Sequence, residues 1–346
     1  MNEWLLDIGR FVVQMSILTL LIMAVVLVIA KVRNEAGERV RLRVEELNGR
    51  LEYRRRRLAL AASEPSARKR LAKAFRRDDK SRSRAGRKQE NESRGTVWVL
   101  DFHGDLKAAG VGRLAEEISA VTAAAAEGDE VVIRLESAGG LVHAYGLGAA
   151  QVDRLREAGL TTTVCVDKVA ASGGYLMACA ADHLRAAPFA VLGSIGVVAQ
   201  LPNVHRLLKR HDIDVELLTA GEYKRTLTVF GENTEEGREK FQSDLEHIHE
   251  LFKRHVAQRR PGLDIEAVAT GEVWYGHDAL DRGLVDALGT SEAYLVARMN
   301  EARVVSVRLE ARQPIGKRLG VAVRESIEGG AERLLERLDA SRWEKR

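Results

Sequence analysis

The sequence predicts an α/β fold, because strand-like apolar runs alternate with helical segments through the middle of the chain. The runs are rich in Val, Ile and Thr, residues that favour strands. They cover residues 96–100, 130–135 and 161–166. The helical segments follow at residues 111–126, 141–158 and 175–181. This order indicates a sheet with helices packed on it.

The N-terminal part of the chain contains an apolar run at residues 11–30. At about 1.5 Å per residue, a helix of this length spans roughly 30 Å, the thickness of the hydrocarbon core of a bilayer. A cleaved signal peptide is the alternative, but Glu3, Asp7 and Arg10 precede the run instead of a basic cluster, and no cleavage site of small residues follows. We therefore predict a retained transmembrane anchor at residues 1–31.

Positive charge is concentrated directly after this run. Residues 31–90 contain 21 Lys and Arg against nine Asp and Glu, although the whole chain has a net charge of only +4. Such a flank favours the cytoplasmic side, and attraction to anionic lipid contributes about 1 kcal/mol per basic residue near the surface. We therefore favour membrane lipid as its partner and not nucleic acid. The periplasmic side stays open, because a long translocated domain overrides loop charge.

Two kinds of structure are expected between the anchor and the first strand. Residues 40–60 contain helix formers and few breakers, which predicts a charged helix. Residues 63–93 are rich in Ser, Lys and Arg and lack the apolar surface that would offset the entropy of ordering. We predict a basic linker, helical and then flexible, over residues 32–93.

An alcohol and an amine are the first candidates for chemistry. Ser172 lies on a glycine-rich turn at residues 170–174, and Lys224 follows later in the chain. A serine hydroxyl is a poor nucleophile until a base removes its proton, and a lysine acts as that base only when burial keeps it neutral. The glycines after Ser172 allow a tight strand-to-helix turn, and Tyr223 offers Lys224 an apolar neighbour. The pair predicts a serine/lysine hydrolase.

The remaining segments have structural interpretations. Residues 186–201 are apolar but too short and too broken to span a membrane, so a buried strand and turn fit them better. Residues 234–258 form an amphipathic helix that contributes to the core. Cys165 and Cys179 are interpreted as buried hydrophobic residues, because two cysteines in apolar runs make neither a disulfide framework nor a metal site. The charged tail at residues 301–346 receives no chemical role.

Four short motifs, taken in order, are specific to one family. They are LESAGG at residues 135–140, ASGG at 171–174, GSIG at 193–196 and GEYK at 221–224. With these motifs the chain resembles the signal peptide peptidase A family, peptidase family S49. The resemblance implies a ClpP/crotonase-like α/β domain over residues 94–300 and a serine endopeptidase of the bacterial inner membrane. It also implies peptide or protein substrates with apolar segments, such as signal-peptide remnants.

The resemblance assigns roles to five residues. It makes Ser172 the nucleophile, Lys224 the general base and Ser194 the residue that orients the lysine amine. The backbone amides of Gly139 and Gly140 are expected to face the oxyanion of the tetrahedral intermediate. The chemistry implied by this set requires no metal and no cofactor.

One position departs from the family pattern, and one family property concerns assembly. Relatives often have proline where this chain has Ala138, so the oxyanion loop is expected to be less rigid here. The family forms homo-oligomeric rings or domes, and in some members the serine and the lysine of one site come from neighbouring subunits. We therefore expect a homo-oligomer, with pairing within or between subunits left open.

Three other function classes are weighed against this one. A histidine-based hydrolase is possible because His143 and His183 lie close in sequence to the two glycine loops. An acyl-CoA-processing enzyme of the crotonase type shares the loop layout, but such enzymes usually use carboxylates and no lysine base. A non-catalytic membrane scaffold would need none of these side chains.

Overall fold

The structure is a computed structural model. It describes residues 40–86 and 95–311 and, in addition, the single residues Met15, Ile17, Thr19 and Leu21. The predicted anchor at residues 11–30 and the tail beyond residue 311 fall outside this description, apart from those four residues, and stay predictions. Among the residues described, no helix combines the length and the apolar character needed to cross a membrane.

Residues 43–308 form one compact unit, which contains every site residue predicted from the sequence. A second unit comprises residues 1–42 and 309–346. Of this second unit the structure describes residues 40–42 and 309–311, which are in strands, and the four single residues.

Ten strands within the described residues form one sheet. They are β1 (Val40–Glu46), β2 (Thr96–Gly104), β3 (Glu130–Ser137), β4 (Thr161–Val166), β5 (Val169–Ala171), β6 (His183–Ala186), β7 (Val191–Gly193), β8 (Val273–Tyr275), β9 (Ala287–Leu288) and β10 (Arg303–Ala311). The main order is β1–β10–β2–β3–β4–β6–β9, and the pairs from β10 to β9 are parallel. At the end of β3 a branch begins, in which β5 pairs with β3, β7 with β5, and β8 antiparallel to β7.

The helices of the described residues connect and cover these strands. They are α1 (Leu47–Ala62), α2 (Pro65–Gly86), α3 (Val111–Ala124), α4 (Val142–Glu157), α5 (Gly173–Ala178), α6 (His205–Arg210), α7 (Glu235–Arg259), α8 (Ile265–Val268), α9 (Gly276–Asp281) and α10 (Ser291–Arg298). Helices α3, α4 and α5 pack against the inner strands and against each other.

The main core lies between these helices and one face of the sheet. Leu100 and Phe102 of β2 are fully buried on that face. Val97 and Val99 of the same strand belong to a smaller cluster that includes Leu295 of α10. Because both faces are covered, the inner strands read as nearly continuous apolar runs.

The predicted α/β fold is confirmed, and β2, β3 and β4 correspond to the three predicted strands. The predicted amphipathic helix is α7, and the predicted strand and turn at residues 186–201 contain β7. Cys165 and Cys179 are buried and free, as predicted. Burial raises the pKa of both thiols to about 12, so they are unreactive at neutral pH.

Part of the prediction for residues 40–60 is wrong, because a helix does not begin at residue 40. The first seven residues form β1, and the helix α1 follows from Leu47. Val40, Leu42 and Val44 alternate with charged residues, and this period of two is the period of a strand.

The flexible linker predicted over residues 63–93 is also wrong in part, because α2 is helical from Pro65 to Gly86. Arg56 of α1 forms ion pairs with Asp78 at 2.9 Å and Asp79 at 2.5 Å, and its guanidinium lies 5.1 Å from the centre of the Phe75 ring. These contacts join α1 and α2, and Ala, Leu, Lys and Arg favour a helix intrinsically. Neither effect depends on apolar surface, so the composition of residues 63–93 did not predict this helix.

Candidate active site

Ser172 occupies a sharp turn between β5 and α5. Its backbone has φ 51° and ψ −121°, a conformation that costs a residue with a side chain roughly 1–3 kcal/mol. The Ser172 N–H donates to the carbonyl oxygen of Gly193 at 2.8 Å, and the Ser172 carbonyl accepts from the N–H of Leu176 at 3.0 Å. The side chain is half-buried. A strained serine between a strand and a helix is typical of a nucleophile held at the edge of a sheet.

The start of α5 packs so closely on its neighbours that only glycine fits. A Cβ atom at Gly173 would lie 2.5 Å from Cγ of Tyr145, and one at Gly174 would lie 2.5 Å from the carbonyl oxygen of Ser137. The two glycines that follow Ser172 therefore fix the turn against α4 and the end of β3.

The loop with Gly139 and Gly140 lies directly against Ser172. Gly139 has φ 92°, and a Cβ atom there would lie 2.8 Å from Cβ of Ser172. A Cβ atom at Gly140 would lie 2.1 Å from the carbonyl oxygen of Leu106. The structure thus places Gly139 directly against the predicted nucleophile, and both glycines of the loop lie in a space that excludes side chains.

Three backbone amides belong to this loop and to the start of α5. The Gly139 N–H donates to Oγ of Ser137 at 3.1 Å. Within the described residues, the N–H groups of Gly140 and Gly173 have no acceptor. Gly173 was not among the predicted site residues, although a signal existed. The first N–H groups of a helix lack partners inside it, and the amide after such a nucleophile commonly faces an oxyanion.

Ser194 lies beside Ser172, because β5 and β7 run in parallel with Ala171 opposite Gly193. Each serine is the first residue after its strand, and Ser194 also has a positive φ, 47°. The Ser194 N–H donates to the carbonyl oxygen of Glu272 at 2.6 Å. In the part of the chain that is described, neither serine hydroxyl has a hydrogen-bond partner. The two hydroxyls and the glycine loop therefore share one edge of the sheet.

Lys224 lies in an exposed turn between α6 and α7. Its N–H donates to the carbonyl oxygen of Gly221 at 3.2 Å, and its ammonium has no hydrogen bond or ion pair to any described residue. The single chain does not join Lys224 to Ser172 by a hydrogen bond. Apolar side chains of the same segment are exposed as well, Leu218 at 90% and Phe230 at 55%. An exposed apolar surface of this kind is typical of a surface that meets another protein.

The two histidines weighed as alternatives are not bonded to Ser172. His143 on α4 and His183 on β6 are both exposed. Among the residues that the structure describes, neither imidazole ring forms a hydrogen bond to Ser172.

Two other histidines, both on α7, contact the backbone around the site. Nε2–H of His255 donates to the carbonyl oxygen of Leu176 on α5, and Nε2–H of His249 donates to that of Ile195, the residue after Ser194; both distances are 3.2 Å. Helix α7 therefore supports the segments that carry the two serines.

We expect the stability of the fold to fall as the pH falls through and below about 6.5, because of His255. Burial first, and then the positive charge of Arg259, lower the pKa of His255, against a smaller opposing effect of Asp153. Between the folded and the unfolded pKa the unfolded chain binds more protons, so stability is lost as the pH decreases. Urea unfolding at pH 7.5 and at pH 5.5 measures this loss. The loss of unfolding free energy should be smaller in His255→Gln and unchanged in His143→Gln, an exposed matched control. An equal loss in all three proteins would contradict the assignment to His255.

Comparisons with known proteins match one peptidase family along almost the whole chain. The model for the N-terminal part of peptidase family S49 matches residues 3–152, and the model for peptidase family S49 matches residues 154–306. The probable protease SohB of Haemophilus influenzae is 45% identical over 334 residues, which cover 94% of this chain and 95% of that protein. The probable protease SohB of Buchnera aphidicola subsp. Schlechtendalia chinensis is 44% identical over 304 residues, 86% of this chain and 100% of that protein. A solved structure, a mutant of the 1510-N membrane-bound stomatin-specific protease, superposes with a TM-score of 0.41 at 14% identity and covers 60% of this chain and 86% of that chain.

Proposed function

The chain belongs to peptidase family S49, a family of serine peptidases, and we propose that it cleaves peptide bonds with Ser172 as nucleophile and Lys224 as general base. The observation that carries the assignment of the nucleophile is the strained turn of Ser172 beside the loop at Gly139 and Gly140. Strain of this kind persists only where the surrounding structure enforces it, and it is concentrated at functional sites.

The amides next to Ser172 provide the electrostatic part of the proposal. Attack of Oγ on a peptide carbonyl places negative charge on the carbonyl oxygen, and prearranged N–H donors stabilise that charge. The N–H groups of Gly140 and Gly173 have no acceptor among the described residues, and that of Gly139 is bonded to Ser137. One such donor is typically worth about 3 kcal/mol in the transition state.

The proton transfers follow from the roles of the two side chains. Neutral Lys224 accepts the hydroxyl proton as Ser172 attacks, and it then passes that proton to the leaving amine. Water hydrolyses the acyl-enzyme with the same lysine as base. We assign to Ser194 the hydrogen bond that directs the lysine amine, since its hydroxyl lies beside Ser172 and is unpaired among the described residues.

The exposure of Lys224 supports an oligomeric site. A lysine surrounded by water is charged and does not act as a base, whereas burial against apolar groups favours the neutral form. The exposed apolar side chains of the Lys224 segment, such as Leu218 and Phe230, offer such burial on contact with a second subunit. We propose a homo-oligomer in which this segment is covered and the lysine meets a serine.

Membrane attachment belongs to the same proposal. Residues 11–30 have the length and composition of a membrane-spanning helix, and the basic flank suits anionic lipid. We place the enzyme in the bacterial inner membrane, with the peptidase domain at residues 94–300 on the cytoplasmic side, because the positively charged flank at residues 31–90 favours that side. Substrates with apolar segments, such as membrane-protein fragments, would then lie close to the site.

Labelling with a fluorophosphonate tests the proposal. The phosphonate should attach to Ser172 in the native full-length protein, and mass spectrometry of the digested protein should locate it there. Ser172→Ala should remain unlabelled, while Ser243→Ala, which changes an exposed serine on α7, should label as the wild type does. A native protein that stays unlabelled, or labels elsewhere, would favour the non-catalytic scaffold.

A further inference from the structure

A chain of buried hydroxyl groups runs beneath the loop that contains Gly139. The Tyr145 hydroxyl donates to the carbonyl oxygen of Asp105 at 2.7 Å, and it lies 2.6 Å from Oγ of Ser137. The Gly139 N–H donates to the same Oγ at 3.1 Å. Tyr145 is fully buried and Ser137 is 2% exposed.

The direction of each bond in this relay is fixed. Tyr145 has a single hydroxyl hydrogen, which it gives to Asp105, so the hydrogen between the two hydroxyls must come from Ser137. The Ser137 oxygen is then free to accept the Gly139 N–H. Burial raises the pKa of the Tyr145 phenol, which keeps its hydrogen in place.

The same tyrosine also supports the nucleophile turn. Its ring lies where a side chain at Gly173 would be, and its hydroxyl oxygen lies 2.4 Å from the Cβ position of Gly104. The carbonyl oxygen of Ser137 likewise occupies the space that a side chain at Gly174 would need. Tyr145 and Ser137 thus contact both sides of the candidate site, the loop of Gly139 and the start of α5.

The loop has few other hydrogen bonds. It consists of Ala138, Gly139 and Gly140, and two consecutive glycines leave the backbone more conformational freedom than any other pair of residues. Its downstream end is held where the Leu141 N–H donates to the carbonyl oxygen of Leu106 at 2.9 Å. On the upstream side, the bond from Gly139 to Ser137 is the matching restraint.

We propose that the relay from Asp105 through Tyr145 and Ser137 to the Gly139 amide holds the loop in the geometry that stabilises the oxyanion. Tyr145 and Ser137 are then positioning residues that touch no substrate and act through the backbone of the loop. The inference rests on the proposed function. Because the oxyanion exists only after attack, the relay acts on the chemical step and not on substrate binding.

The test compares Tyr145→Phe and Ser137→Ala with Tyr294→Phe in the full-length protein. Tyr294 is a matched control, since its hydroxyl donates to Glu130 at 2.6 Å, at the opposite end of β3. The substrate is an internally quenched peptide with leucine at the cleaved bond, and the inhibitor is the corresponding peptide aldehyde, whose adduct carries an oxyanion analogue. The readouts are kcat, KM, the aldehyde inhibition constant and phosphonate labelling.

We expect Tyr145→Phe and Ser137→Ala each to lower kcat about tenfold or more and to weaken aldehyde inhibition by a similar factor, because complete loss of one donor costs about 10² to 10³. KM should stay within about twofold, and the double variant should be little worse than the worse single variant, since both act on one relay. Tyr294→Phe should retain the wild-type constants.

Several outcomes would overturn the inference. They are a kcat in the two relay variants equal to that of Tyr294→Phe, a change in KM alone, or additive losses in the double variant. If Tyr145→Phe does not fold, Ser137→Ala decides by the same readouts. Absence of labelling in the wild type would instead count against the proposed function, so the two failures are distinguishable.

Discussion

Replacement of Ser172 by glycine should abolish peptide hydrolysis and, at the same time, stabilise the fold. The loss of the nucleophile should lower kcat by about 10³-fold or more, because binding and the amide donors alone retain only a small part of the catalysis. The gain in stability follows from the backbone, since φ at Ser172 is 51° and glycine adopts that conformation without a steric penalty. We expect about 1 kcal/mol of added unfolding free energy relative to the alanine variant.

Ser172→Ala is the matched control for this experiment. It removes the same hydroxyl but keeps a Cβ atom in the strained conformation, so it should be as inactive as Ser172→Gly and less stable. Urea unfolding of the two variants, together with turnover of the quenched peptide, separates the chemical effect from the backbone effect. Activity within tenfold of the wild type in either variant would show that Ser172 is not the nucleophile. Equal stability of the two variants would contradict the backbone strain at Ser172.

The parts of the fold that the sequence predicts are those with a long local signal. Strands β2, β3 and β4 contain between six and nine residues, many of them β-branched, and α7 carries a clear helical period over 25 residues. Strands β5 and β7 have three residues each, too few for any period. Yet it is their pairing that places Ser194 beside Ser172, and only the family resemblance indicated that residue.

The site was predictable where it depends on local turns and not where it depends on distant contacts. The glycines around Ser172 predict a tight turn, and the structure places them there. The role of Tyr145 depends on contacts with Gly104 and Gly173, which lie far from it in the sequence. The position of Lys224 was also beyond sequence patterns, since its segment, residues 211–234, contains neither a strand nor a helix.

Replacement of Lys224 by methionine should lower kcat by about 10² to 10⁴, the usual contribution of a general base, while phosphonate labelling becomes correspondingly slow. Methionine keeps much of the apolar length of lysine and removes only the amine. Arg225→Met is the matched control, because Arg225 is an equally exposed cation in the next position. Similar losses in both variants would contradict the role of Lys224.

Co-expression of Ser172→Ala with Lys224→Met then decides how the exposed lysine reaches a serine. If each site combines the serine of one subunit with the lysine of its neighbour, random assembly of equal amounts restores about one quarter of the sites, because intact residues meet at that frequency. If both residues come from one subunit, every site lacks one partner and activity stays at the level of the single variants. The exposure of Lys224 and of the apolar side chains around it makes recovery the expected result. If size-exclusion chromatography shows that the mixture forms oligomers and no activity is recovered, the site is not shared between subunits.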